Sequence, residues 1–108
     1  MFTRYSIMFR NNVLTANLKH HCDEKGCWWV IDLIDSHIMA NTKFRTEEFL
    51  SSTLDVVDGG FVVKITDGNE NVLASQEGDF TDYPEAGLKL FTCRNELGGW
   101  THMLPEDY

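Results

Sequence analysis

The stretch Cys27-Trp28-Trp29-Val30-Ile31-Asp32-Leu33-Ile34-Asp35-Ser36-His37-Ile38-Met39 is the densest apolar segment of the chain, and it limits what the rest can fold into. It is not a strand, because Trp28 and Trp29 are adjacent, as are Val30 and Ile31, and alternation fails. On a helix, at about 100° per residue, Trp28, Asp32, Asp35, Ser36 and Met39 share one arc, while Trp29, Val30, Ile31, Leu33, Ile34, His37 and Ile38 fill the remainder. A helix apolar over more than half its circumference needs cover on more than one side. A second helix and a sheet together supply it, leaving only the Trp28, Asp32, Asp35, Ser36, Met39 strip for solvent or a partner.

The flanking sequence offers both. Upstream, Asn12 is placed to cap a helix from about Val13 to Glu24, with Leu14, Leu18, His21 and Cys22 on one narrow face and Gly26 able to end it with φ > 0. Before that, Tyr5, Ile7 and Phe9 alternate with Arg4, Ser6 and Met8 over residues 2–9, the pattern of a short edge strand. Downstream of Glu48 the period falls to two. Leu50, Leu54 and Val56 share one face, Asp58-Gly59-Gly60 makes a hairpin turn, and Phe61, Val63 and Ile65 face inward on the return. Asp67-Gly68-Asn69 turns the chain again before Val72 to Gln76. Leu88 to Cys93 and Trp100 to Leu104 complete the strands. Turns this short make neighbours antiparallel. The expected fold is α+β: one domain over residues 1–108, with two N-terminal helices on one face of a four- or five-stranded antiparallel meander.

At 108 residues the chain can bury a core without a metal or disulfide staple. Three cysteines, Cys22, Cys27 and Cys93, leave one unpaired in any disulfide scheme, so reduced thiols are expected. The apolar run Cys27 to Ile31 is far short of the ~20 residues of a bilayer span. Residues 1–10 lack the apolar stretch of a signal peptide, and a cytoplasmic location is expected. The net charge of -8 is unevenly placed: residues 1–22 carry +3 and residues 23–108 carry -11. A field of that sign repels nucleic acid and attracts basic partners.

No chemistry-bearing motif is complete. His20-His21-Cys22 with Cys27 offers zinc-type ligands, but no second close pair follows, and Cys93 or His102 would have to be recruited from the sheet. Cysteine–histidine catalysis lacks a strained turn or helix N-terminus that presents any one thiol. His37, within the apolar arc, reads as a core histidine bonded to backbone. Asp32 and Asp35, three apart, read as structural or solvated rather than catalytic. Asp67-Gly68-Asn69-Glu70-Asn71 opens like a calcium loop, but Val72 stands where the sharp turn needs glycine and Gly78 where the bidentate Glu belongs. The expectation is therefore a non-enzyme with no catalytic residue, metal site or cofactor.

The most informative surface candidate is the connection Glu77-Gly78-Asp79-Phe80-Thr81-Asp82-Tyr83-Pro84-Glu85, with four carboxylates, two aromatics and no base. Exposed aromatics beside carboxylates suit an Arg- and Lys-rich partner. A bland reading has Phe80 and Tyr83 plugging the core while the acids are solvated, and Tyr83-Pro84 is compatible with a cis corner. The partner-binding residues expected are Glu77, Asp79, Phe80, Asp82, Tyr83 and Glu85, with Asp32 and Asp35 from the helix strip.

Three segments taken together, Trp29 to Ser36, Thr81-Asp82-Tyr83-Pro84 with Leu88-Lys89-Leu90, and Met103-Leu104-Pro105-Glu106-Asp107-Tyr108, resemble a family of small uncharacterised proteins of bacteria, plasmids and phages. The resemblance runs over residues 13–108. It implies no mechanism, but small proteins of mobile elements include inhibitors of host defence, anti-CRISPR proteins among them. Combined with the acidity, this makes the leading expectation an inhibitor that occupies the basic surface of a host nucleic-acid-binding protein or nucleoprotein complex, without touching nucleic acid or membrane itself. A homodimer is compatible with this. The alternative is a small-ligand or nucleotide-binding protein with a pocket between helices and sheet lined by Trp28, Trp29 and Trp100.

Overall fold

The computed structural model describes residues 11–108 in full and, of residues 2–4, the backbone. In chain order the elements are β1 (Phe2–Arg4), β2 (Val13–Thr15), α1 (Ala16–Lys25), α2 (Trp28–Ala40), a 3-10 turn (Thr42–Thr46), β3 (Phe49–Val57), β4 (Gly60–Thr66), β5 (Val72–Gly78), β6 (Gly87–Arg94), β7 (Trp100–Met103) and a closing 3-10 turn (Pro105–Asp107). The expected edge strand is present at Phe2–Arg4. The remainder of that expectation, residues 5–9, lies outside the described residues.

The first helix starts later than expected. Val13–Thr15 is extended, and the cap is Thr15, at φ -69 and ψ 157, whose hydroxyl accepts the Leu18 N–H at 3.3 Å. Asn12 is no cap, because its carboxamide is committed elsewhere: Oδ1 accepts the Trp100 N–H at 3.0 Å and Nδ2 donates to Asp35 at 2.8 Å. Gly26 does end the helix, at φ 70, its N–H bonded to the Cys22 carbonyl at 2.9 Å. Leu18 and Cys22 face the core.

The second helix buries Val30, Ile31 and Ile34 fully, with Trp29, Leu33 and Ile38 partly covered. Asp32, Ser36 and Met39 meet solvent as the wheel requires, and Asp35 does not: it is 0% exposed. His37 is half-buried and pairs with a side chain, Gln76 Oε1 at 2.8 Å, rather than with backbone.

The α+β class and the two helices on one face of the sheet hold; the sheet itself is larger and mixed. Its seven strands run in the order β1-β2-β7-β6-β3-β4-β5, and the β2–β7 pair is parallel. Strands β1 and β2 are three residues each, too short to carry a period, and β2 finds its partner in the last strand of the chain. Nor is the array a continuous meander. After β5 the chain returns past the β3–β4 hairpin and adds β6 to the other side of β3. The hairpin itself is a two-residue turn, Asp58 at φ 50 and Gly59 at φ 80, whose left-handed pair matches the twist of the strands it joins.

One cluster of buried side chains joins both layers, with Leu18, Ile31 and Ile34 of the helices against Leu14, Leu50, Leu54, Val63, Ile65 and Leu90 of the sheet. On the opposite face of the sheet Phe49, Phe91 and Tyr108 form a ring triad with centroids 5.1 to 5.5 Å apart. No helix among the described residues is long and apolar enough to cross a membrane.

Candidate functional site

The return of the chain from β5 to β6 creates the most distinctive surface. The Thr81 N–H bonds to the Gly59 carbonyl at 2.9 Å and the Val56 N–H to the Ala86 carbonyl at 2.9 Å, so the 79–86 connection is laced onto the β3–β4 hairpin tip. Six exposed carboxylates are thereby gathered at one end of the sheet: Asp55 and Asp58 from the hairpin, with Glu77, Asp79, Asp82 and Glu85 from the connection. Asp32, also exposed, lies one turn along α2 from Trp29. Among the described residues no Lys or Arg pairs with any of these seven. Between Glu47 and Gly87 the sequence holds ten carboxylates and the single cation Lys64. That lysine lies on the face of the sheet that also carries Asp55 and Glu77, opposite Val63 and Ile65, which are in the core.

The two aromatics of the connection separate. Tyr83 is 5% exposed and anchors the loop: its hydroxyl donates to Glu85 Oε1 at 3.1 Å and accepts from His21 Nε2 at 2.8 Å. Burial, then the bond to Glu85, push its phenol pKa up, so it stays protonated. Phe80 is 75% exposed. The bland reading of a loop plugged by both rings thus applies to Tyr83 alone. Among the described residues there is no cis peptide, and the Tyr83–Pro84 bond is trans.

Beside Phe80 is a cleft of about 190 Å³ lined by Trp29, Phe61, Phe80, Thr81 and Asp82. Trp29 and Phe61 pack with centroids 4.7 Å apart at an interplanar angle of 57°. Gly78 makes this possible: a side chain there would overlap the Phe61 ring, which lies across the end of β5. A second cleft, about 310 Å³, opens on the other side of the connection against Val57, Glu77 and Asp79, and Phe61 lines both.

Asp35 is withdrawn from the candidate surface. It belongs to an internal network in which its Oδ1 accepts from Asn12 Nδ2 at 2.8 Å and from His102 Nε2 at 2.7 Å. Thr92 Oγ1 lies 2.8 Å from His102 Nδ1. An Asp–His–Thr series is the order of a nucleophile relay, but all three side chains are 0% exposed, so no substrate reaches the hydroxyl and the network is structural. Sequence reasoning did not single out Thr92 or pair His102 with Asp35, because the chain separates that pair by 67 residues.

The histidines and cysteines disperse. His20 faces solvent beside Glu24, and Cys93 lies on the far face of the sheet. Cys22 and Cys27 are free, buried thiols with sulfurs 3.4 Å apart. The hydrogen bond between them raises the Cys22 pKa and lowers that of Cys27, and burial adds to the rise at Cys22. Among the described residues no three His, Cys, Asp or Glu side chains converge on a metal-sized site.

Among the described residues the three tryptophans have separate partners. Trp100 is buried under the Arg94 guanidinium, 4.0 Å from its ring centroid, Trp28 donates to Asp23 at 2.9 Å, and Trp29 faces Phe61. A larger cleft of about 580 Å³ lies elsewhere, between the first turn of α1 and the ends of β6 and β7, and is lined by Thr15, Asn17, Cys93, Thr101 and Asp107 among others.

The architecture is that of a small α+β domain with a mixed sheet, one helical layer and an acidic end. The chain belongs to the family of unknown function DUF6876, whose family model matches residues 1–108. No curated protein and no solved structure matches it.

Proposed function

We propose that this protein is a binding protein whose acidic end occupies the basic surface of a partner, and that it acts as an inhibitor of a nucleic-acid-binding host protein, encoded by a phage or other mobile element and working in the host cytoplasm. The observation that carries the reading is the gathering of Asp55, Asp58, Glu77, Asp79, Asp82 and Glu85, none in an ion pair among the described residues, at the end of the sheet that also carries the exposed Phe80. Unneutralised carboxylates speed encounter with a cationic surface, and an exposed aromatic at the same end of the sheet gives apolar area to bury once contact is made. The acid-rich surface also mimics the charge of the nucleic acid it would displace.

The test is a variant carrying Glu77→Lys, Asp79→Lys, Asp82→Lys and Glu85→Lys, checked for an unchanged melting curve. Affinity capture from host lysate with the parent chain should enrich basic nucleic-acid-binding proteins, and the reversed variant should lose them. Equal recovery by both chains overturns the reading.

A second reading, sequestration of a small ligand, is favoured only by the cleft of about 580 Å³ at the start of α1. A thermal-shift screen against nucleotides tests it, since a ligand at a hundredfold its Kd adds about 2.7 kcal/mol of stability.

A further inference from the structure

Resting on the acidic-end reading, we propose that the cleft formed by Trp29, Phe61, Phe80 and Asp82 is a socket for one arginine side chain of the partner. The three rings give aromatic faces for a guanidinium plane, and Trp29 and Phe61, tilted by 57° with centroids 4.7 Å apart, form a wall already held in place by packing. Phe80 stands on the open side, 75% exposed, without apolar cover of its own. A cation is attracted to the faces of such rings, and a planar, weakly hydrated guanidinium stacks on them better than a lysine ammonium does.

The polar rim selects the same group. Thr81 is held in place, its N–H bonded to Gly59 and its hydroxyl accepting the Tyr83 N–H at 3.1 Å. Asp82 is exposed and lies in no hydrogen bond or ion pair among the described residues, so its two oxygens are available for the paired donors of a guanidinium. With Asp82 on its rim and Asp58 and Asp79 at the same end of the sheet, an anion is repelled from the cleft and a neutral side chain gains nothing from the field. The loop is fixed from beneath by Tyr83, so the socket needs no rearrangement to accept its occupant.

The experiment is an NMR titration of the full chain with three capped pentapeptides, Gly-Gly-Xaa-Gly-Gly, in which Xaa is arginine, citrulline or lysine. The arginine peptide should shift the Trp29 indole N–H and the amides of Phe80 to Asp82. The citrulline peptide, of the same shape without charge, should leave them unmoved, and the lysine peptide should bind more weakly. Phe80→Ala and Asp82→Asn, both at exposed positions and checked for intact folding, should each weaken arginine binding roughly fivefold. Arginine shifts scattered over the acidic end and insensitive to Phe80→Ala overturn the socket while leaving the broader reading in place. Equal binding of the lysine peptide overturns the assignment to arginine. Should hexa-arginine at low salt shift no resonance at the acidic end, both the socket and the broader reading fail.

Discussion

Asp35 and Ser52 show how burial is judged residue by residue. Both lie inside, but Asp35 accepts from Asn12 and His102, whereas the Ser52 hydroxyl has no hydrogen-bond partner among the described residues. Removing them should therefore act in opposite directions. Asp35→Ala leaves the Asn12 amide and the His102 ring buried without their acceptor and should cost about 3–5 kcal/mol, read as a lower denaturant midpoint. Ser52→Ala removes a desolvated hydroxyl and should be neutral or stabilise by about 1 kcal/mol. A carboxylate only accepts, so His102 Nε2 carries a proton and donates to Asp35, while Thr92 Oγ1 lies 2.8 Å from Nδ1. The helical wheel places Asp35 outward because it shares an arc with Trp28, Asp32, Ser36 and Met39, and the partners that permit its burial come from β7 and the segment before β2.

At the scale of the element, α1 shows why helix starts are hard to place. Leu14, Leu18 and Cys22 fit one helical stripe, yet Leu14 is in a strand and reaches the core from there. The sequence points to Asn12 as the cap, and the structure uses Thr15, three residues on, because tertiary bonds claim Asn12. Thr15→Ala should cost about 1–2 kcal/mol, through the lost Leu18 cap bond together with the lost bond to Asp107. Asn12→Ala should instead lower stability by unpinning Trp100 and Asp35 without shortening the helix, a distinction amide exchange across residues 16–20 can read. The helix over Trp28–Ala40 and the β3–β4 hairpin were readable in place because their signals, an unbroken apolar arc and an Asp-Gly turn, are local.

The whole molecule is closed by its C-terminal turn. Asp107 accepts from the Thr15 hydroxyl and from the Asn17 amide, both at 2.7 Å, tying the last residues to the start of α1. Slight desolvation works to raise its pKa, but the bonds from Thr15 and Asn17 outweigh it and hold the carboxyl below its usual range. A depressed folded-state pKa contributes stability that is present above the ordinary carboxylate pKa near 4 and disappears as pH falls through the folded value. Melting temperatures from pH 6 down to pH 2 should therefore fall less for Asp107→Asn than for the parent chain. An identical acid limb for the two proteins would show that the clasp adds nothing. The candidate site also exists only at this scale. The connecting loop was legible as acidic and aromatic, but Asp55, Asp58, Trp29 and Phe61 join it only because the chain doubles back past the hairpin.

What the amino-acid order determined by itself was whatever depends on near neighbours: two helices, five of the strands, their turns, the charge asymmetry and the acidic loop. These follow from periodicity, backbone preference and the side chains of a few consecutive residues. Tertiary structure alone decided the parallel β2–β7 pair, the turn-back that places β6 beside β3, the burial of Asp35, and the division of Phe80 from Tyr83. Each rests on contacts between residues far apart in sequence, whose energies appear only when the chain has closed on itself.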